Sequence, residues 1–146
     1  MSLYKHVLIA ADFSDHSKQV SKTAKQIAEL NQAQLSVVHV FENLPITEPI
    51  YTPMSFDAEL ADELIESAKV GLQKFAAELN IPAERQWFEL GSPKLEIVRI
   101  AEEHQVDLIV VGSHGRHGFA LLLGSTANGV LHHAKCDVLA VRLKDD

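Results

Sequence analysis

Two short apolar runs, Leu108-Ile109-Val110-Val111 and Val138-Leu139-Ala140-Val141, most constrain how this chain can fold. Neither run alternates with polar residues, as a half-solvated strand does. A short unbroken apolar run suits a strand buried on both faces, and such strands belong to parallel sheets covered by helices. Between the runs lie Gly112-Ser113-His114-Gly115 and then Gly124-Ser125-Thr126. The second group opens a helical pattern, with Ala127, Val130, Leu131 and Ala134 on one side. The whole stretch reads strand, glycine loop, helix, strand.

That order has a chemical consequence. Glycines let backbone N–H groups approach an anion without a Cβ in the way. A helix N-terminus adds free N–H donors and the positive end of its dipole. The same glycines also serve an ordinary surface turn. Their place directly after a buried strand favours the anion reading, because open α/β sheets bind ligands beyond the carboxyl ends of their strands.

The rest of the chain repeats the alternation. Val7-Leu8-Ile9-Ala10-Ala11 is a strand, and Asp12-Phe13-Ser14 is the turn after it, with Ser14 or Asp15 able to cap the next helix. Val20, Ala24, Ile27 and Ala28 keep helical spacing. Leu35 through Phe41 form a second strand, in which His39 reads as a packed strand residue. Residues 42–57 hold three of the five prolines and read as an irregular but apolar loop that packs down. Leu60, Leu64, Ala68, Leu72, Phe75 and Leu79 then trace a long amphipathic helix ending near Pro82. Gln86-Trp87-Phe88-Glu89-Leu90 is a third strand, and Ser92-Pro93 opens a further helix. Strands alternating with helices imply an α/β fold: a doubly wound parallel sheet with right-handed crossovers and helices on both faces.

Composition narrows the function classes. With 146 residues the chain is one domain, residues 1–146. Its net charge of −7 argues against a nucleic-acid binder, which is usually basic. The single cysteine, Cys136, rules out an internal disulfide and suits a reducing compartment. No stretch reaches the length of a membrane span, and no signal-peptide pattern opens the chain, so a cytoplasmic location is expected. Eight histidines invite a metal reading, but adjacent His132 and His133 point to different sides of a helix and do not converge. No Lys follows the glycines as a Walker A motif requires, the dinucleotide G-x-G-x-x-G is absent after the first strand, and no G-x-S-x-G nucleophile elbow is present. No catalytic residue is assigned.

The glycine stretch, with Tyr4-Lys5-His6-Val7-Leu8-Ile9-Ala10-Ala11-Asp12-Phe13-Ser14 at one end and Cys136-Asp137-Val138-Leu139-Ala140-Val141-Arg142 at the other, resembles the universal stress protein family. Nucleotide-binding members of that family carry G-x2-G-x9-G-[ST]. Here Gly112-x2-Gly115 and Gly124-Ser125 match, while the interval between them, residues 116–123, is eight residues long. The resemblance implies five parallel strands in the order 3-2-1-4-5. It implies an ATP- or AMP-binding stress-response regulator, with Mg²⁺ accompanying ATP. The residues it carries over are Ala11, Asp12 and Val40 toward the adenosine, and Gly112, Gly115, Gly124, Ser125 and Thr126 toward ribose and phosphates. His114 and Arg116 stand as phosphate neighbours. If the bound nucleotide were slowly hydrolysed or passed to the protein, Ser125 or Thr126 would be the acceptor. The resemblance further implies a homodimer paired through Val138-Leu139-Ala140-Val141-Arg142, an edge strand. The shorter interval keeps a second reading open: a dimeric interaction module of the same family that binds no nucleotide.

Overall fold

A computed structural model describes residues 3–14, 16–42, 54–113 and 123–143, with the backbone alone at 54–58. The elements run β1 (His6–Ala10), α1 (Ser17–Asn31), β2 (Gln34–Phe41), α2 (Met54–Glu78), β3 (Gln86–Leu90), α3 (Pro93–Glu103), β4 (Leu108–Gly112), α4 (Ser125–His133) and β5 (Asp137–Val141). The strands form one sheet in the order β3-β2-β1-β4-β5, and every neighbouring pair is parallel. Both the fold class and the strand order expected from the sequence are therefore found.

Alternate side chains of each strand feed two cores. Val7, Ile9, Val37, Leu108 and Val110 pack with Val20, Ala24 and Ala28 of α1 and with Leu72 and Ala76 of α2. Leu8, Val38, Val40, Ile109 and Val111 pack with Ile97, Ile100 and Ala101 of α3 and with Ala127 and Val130 of α4. Because helices cover both faces, the central strands gain nothing from polar residues, which is why β1 and β4 read as unbroken apolar runs.

Three helices end in the same way without glycine. Gln32, Asn80 and Gln105 take φ values of 54°, 57° and 57°. The next N–H reaches back to Ala28, Ala76 and Ala101 at 2.8, 2.9 and 2.9 Å, closing a Schellman motif each time. α2 starts at Met54, inside the stretch read from sequence as irregular. Met54 follows Pro53, and no further proline interrupts helical bonding until Pro82. The rest of that stretch, residues 43–53, lies outside the described residues. α1 also differs in detail. Its N-cap is His16, without a side-chain cap bond, and the Ser14 hydroxyl oxygen instead accepts the His16 N–H at 3.3 Å, one turn earlier.

Candidate functional site

The order β3-β2-β1-β4-β5 sends the chain left from β1 and right from β4, so the connections after these two strands diverge. Beyond the carboxyl ends of such a pair a doubly wound sheet leaves a crevice. Here the crevice is lined by Ala11, Asp12 and Ser14 after β1, Gly112 at the end of β4, Ser17 and Val20 of α1, Phe75 of α2, and Leu143. Two segments a hundred residues apart in sequence thus meet in one place. The enclosed space is small, about 10 Å³, which is the scale of one water molecule.

The turn after β1 is held from several sides. Ala11 N–H donates to the Val38 carbonyl at 2.9 Å, and Asp12 Oδ1 accepts the Ser14 N–H at 2.9 Å, an Asx turn. Phe13 sits at φ 57°, a conformation that costs a side-chain-bearing residue about 1–2 kcal/mol. Its ring stacks on His39 with centroids 4.2 Å apart and meets Phe75 edge-on at 6.1 Å. His39 is buried, and its Nδ1 lies 2.7 Å from the Ala11 carbonyl, so the ring N–H donates there. His39 is therefore a packed strand residue, as read from sequence, and it also props the turn that carries Asp12. The sequence offered no signal for this role beyond a polar residue inside an apolar strand.

The far side is the entry to α4. Gly124 is its N-cap, with φ −64° and ψ 158°, and its carbonyl accepts the first helical bond from Asn128 at 2.9 Å. Having no side chain, Gly124 caps none of the helix's leading N–H groups, so those of Ser125, Thr126 and Ala127 have no intrahelical acceptor. Gly124 N–H donates to the Ser113 carbonyl at 2.6 Å, while Ser113 N–H donates to Val141 at 2.8 Å. The α4 N-terminus is thereby tied directly to the end of β4. The interval one residue shorter than the family pattern does not draw Gly124 away from β4.

Of the residues singled out from sequence, Ala11, Asp12 and Gly112 line one crevice. Gly124 is bonded to the end of β4, with Ser125 exposed and Thr126 half-buried in the first turn of α4. Val40 is buried on β2 against the α3–α4 core and is not among the residues lining the crevice. His114, Gly115 and Arg116 lie outside the described residues. Among the described residues that line the crevice, Asp12 carries the one charged side chain. A phosphate there would rely on N–H groups, and a hydroxyl-rich group would suit the carboxylate. Cys136 is half-buried, and burial pushes its thiol above the ordinary range, as befits a small packed side chain rather than a reactive one. Among the described residues no helix is long and apolar enough to cross a membrane.

Comparison with known proteins agrees with this architecture. Universal stress protein A homolog 2 of Coxiella burnetii is 42% identical over 145 residues, covering 99% of each chain. Its homolog 1 from the same organism is 40% identical over 142 residues, covering 97% of this chain and 99% of the relative. Among solved structures, MJ0577 of Methanocaldococcus jannaschii superposes with a TM-score of 0.79 at 30% identity, covering 99% of both chains. A universal stress protein in complex with cAMP superposes with a TM-score of 0.62 at 27% identity, covering 97% of this chain and 98% of that one. The model of the universal stress protein family matches residues 3–142, and the chain belongs to that family.

Proposed function

We propose that this protein is a stress-response regulator that binds an adenine nucleotide, ATP or AMP, in the crevice between β1 and β4. The observation that carries the reading is the convergence of Asp12, Gly112 and the glycine-capped α4 N-terminus at one sheet end. Asp12 would accept hydroxyl groups of the nucleoside. The N–H groups of Ser125 and Thr126, with Gly115 and Arg116 of the connecting loop, would face the phosphates, and Mg²⁺ would accompany ATP. The related protein in complex with cAMP supports an adenine nucleotide as the ligand class. The reading extends to a cytoplasmic homodimer joined through β5, whose position at the sheet edge supports it.

The small enclosed volume favours one alternative, an interaction module of the same family that takes no nucleotide. Binding would require the crevice to open. Calorimetric titration of nucleotide-stripped protein with ATP and Mg²⁺ separates the two. Saturable heat, weakened at least about tenfold in a Gly115→Ala/Ser125→Ala variant, supports the nucleotide reading. A ligand that binds only the folded state must also raise its melting temperature. No heat and no shift at millimolar ATP would leave the interaction module.

A further inference from the structure

A second hollow bounded by described residues lies at the other end of the sheet. It measures about 380 Å³ and runs between the last turns of α3 and α4 and the start of β5. Ala101, Val106, Ala134 and Cys136 make its apolar walls, and Glu102 and Lys135 stand among its polar ones. The Lys135 ammonium lies 3.5 Å from Glu102 but its side chain is 81% exposed, so the pair is weak and Glu102 keeps capacity for a stronger cation. The carboxylates of Asp137, Asp107 and Glu102 all act on Cys136, which makes this an acidic locality.

The hollow adjoins the open edge of the sheet. The Val141 carbonyl is used toward β4, accepting from Ser113. Each residue of a strand turns its N–H and C=O to one side, alternating along the chain. Val138 and Ala140 therefore direct theirs outward, along the free edge of β5. Side-chain alternation is equally clear. Cys136, Val138 and Ala140 pack on the α3–α4 core, whereas Leu139, Val141 and Leu143 pack on the other. Arg142, exposed between Val141 and Leu143, thus emerges on the face that carries the hollow.

We propose that this hollow seats the Arg142 side chain of a second copy of the chain, paired antiparallel through β5 in a register centred on Leu139. The proposal rests on the edge-pairing reading given above and fixes its geometry. A two-fold interface brings the central residue opposite itself. Leu139 is the middle of Asp137–Val141, so centring there pairs the whole strand, and any other self-symmetric register shortens the overlap. Val138 then faces Ala140 of the copy, and Cys136 faces Arg142. The apolar walls receive the methylene stem of Arg142, and Glu102 receives its guanidinium. Symmetry forms the seat twice.

Sedimentation of the wild-type protein comes first. A monomer at high micromolar concentration would end both the edge-pairing reading and this inference. Given a dimer, Arg142→Cys is oxidised in the presence of native Cys136. Facing residues of a hydrogen-bonded antiparallel pair have Cα atoms about 5.5 Å apart, inside the disulfide range of about 4.4–6.8 Å. A covalent dimer is expected, and it should be lost in Arg142→Cys/Cys136→Ser. Glu102→Arg should weaken dimerisation about tenfold or more, and adding Arg142→Glu should restore it. A dimer that links instead through Val138→Cys/Arg142→Cys/Cys136→Ser, or that neither links through Cys136 nor responds to Glu102→Arg, would overturn this seat while leaving edge pairing intact.

Discussion

The two ends of the sheet each contain a buried histidine that donates to a backbone carbonyl, yet they differ in how side chains and backbone share the remaining ties. At the amino end, side chains add to the backbone bonds from Gln34 to Lys5 and from Asp107 to His6. Asp107 accepts the N–H groups of Lys5 at 2.8 Å and His6 at 3.0 Å. The His6 ring is bonded at both nitrogens, to the His104 carbonyl at 3.1 Å and to the Ser36 hydroxyl at 2.8 Å. Trp87 stacks on His104 with centroids 4.1 Å apart. At the carboxyl end, the bonds joining Ala11 to Val38, Gly124 to Ser113 and Ser113 to Val141 run from backbone to backbone. These side-chain ties use the polar groups around His6 and close that part of the amino end. Backbone ties fix the turns in place, and the N-cap Gly124 makes no side-chain bond to the first N–H groups of α4.

The sharpest way to break that comparison is at Asp107. Replacing it by Ala removes two charge-assisted bonds and strands two N–H groups. Urea melts should show a loss of about 2–3 kcal/mol, without a change in nucleotide affinity. An affinity that fell in proportion would mean that the two ends are not independent. A smaller effect is expected at Gly129, where α4 crosses α3. A Cβ there would lie 2.6 Å from Lys94 Cδ and 2.7 Å from its Cβ. The far end of the Lys94 side chain can swing away, but its Cβ is fixed to α3, so the helices must part. Overpacking of about 1–3 kcal/mol outweighs the roughly 1 kcal/mol that Gly-to-Ala gains in helix propensity. Gly129→Ala should therefore be slightly less stable. If the α4 N-terminus faces the phosphates as proposed, the variant should also bind nucleotide more weakly, as titration would show.

Much of this architecture is legible in the sequence because burial on both faces leaves a plain mark. The runs in β1 and β4 locate the centre of the sheet, and proline and glycine punctuate the elements around them. Gly112 and Asp12 are legible as crevice positions because they stand at the ends of such runs. What is not legible depends on contacts between distant residues. His39 reads as a packed residue, and nothing in its neighbours announces that its ring meets the Ala11 carbonyl. Phe13, Gln32, Asn80 and Gln105 adopt left-handed backbone without being glycine, because packing and Schellman bonds impose it. The start of α2 was hidden by the prolines preceding it. The hollow beside Cys136 leaves no local pattern, since its walls come from α3, α4 and the entry to β5.

The mildest test uses pH to ask whether the amino end is as closed as its bonds indicate. Neutral His6 can satisfy both neighbours, with Nδ1–H donating to the His104 carbonyl and Nε2 accepting from the Ser36 hydroxyl. Burial is the main influence on the ring and pushes its pKa below the ordinary 6.5, with the His104 carbonyl partly opposing the shift. The unfolded chain protonates His6 near that ordinary value while the folded state resists. Below about pH 6.5 the unfolded state therefore binds more protons, and the stability contributed by neutral His6, complete above that pH, is lost as pH falls toward the folded value. His6→Phe keeps an aromatic ring beside Trp87 but has no proton to take up. It should be less stable than wild type by about 1 kcal/mol at pH 8, for want of the two hydrogen bonds. That gap should narrow at pH 5, because only the wild type then carries the protonation penalty. Urea melts of both proteins at pH 8, 6.5 and 5 measure it. A gap that widens on acidification would mean that His6 welcomes the proton, and that the amino end opens to water where the bonds around His6 say it is shut.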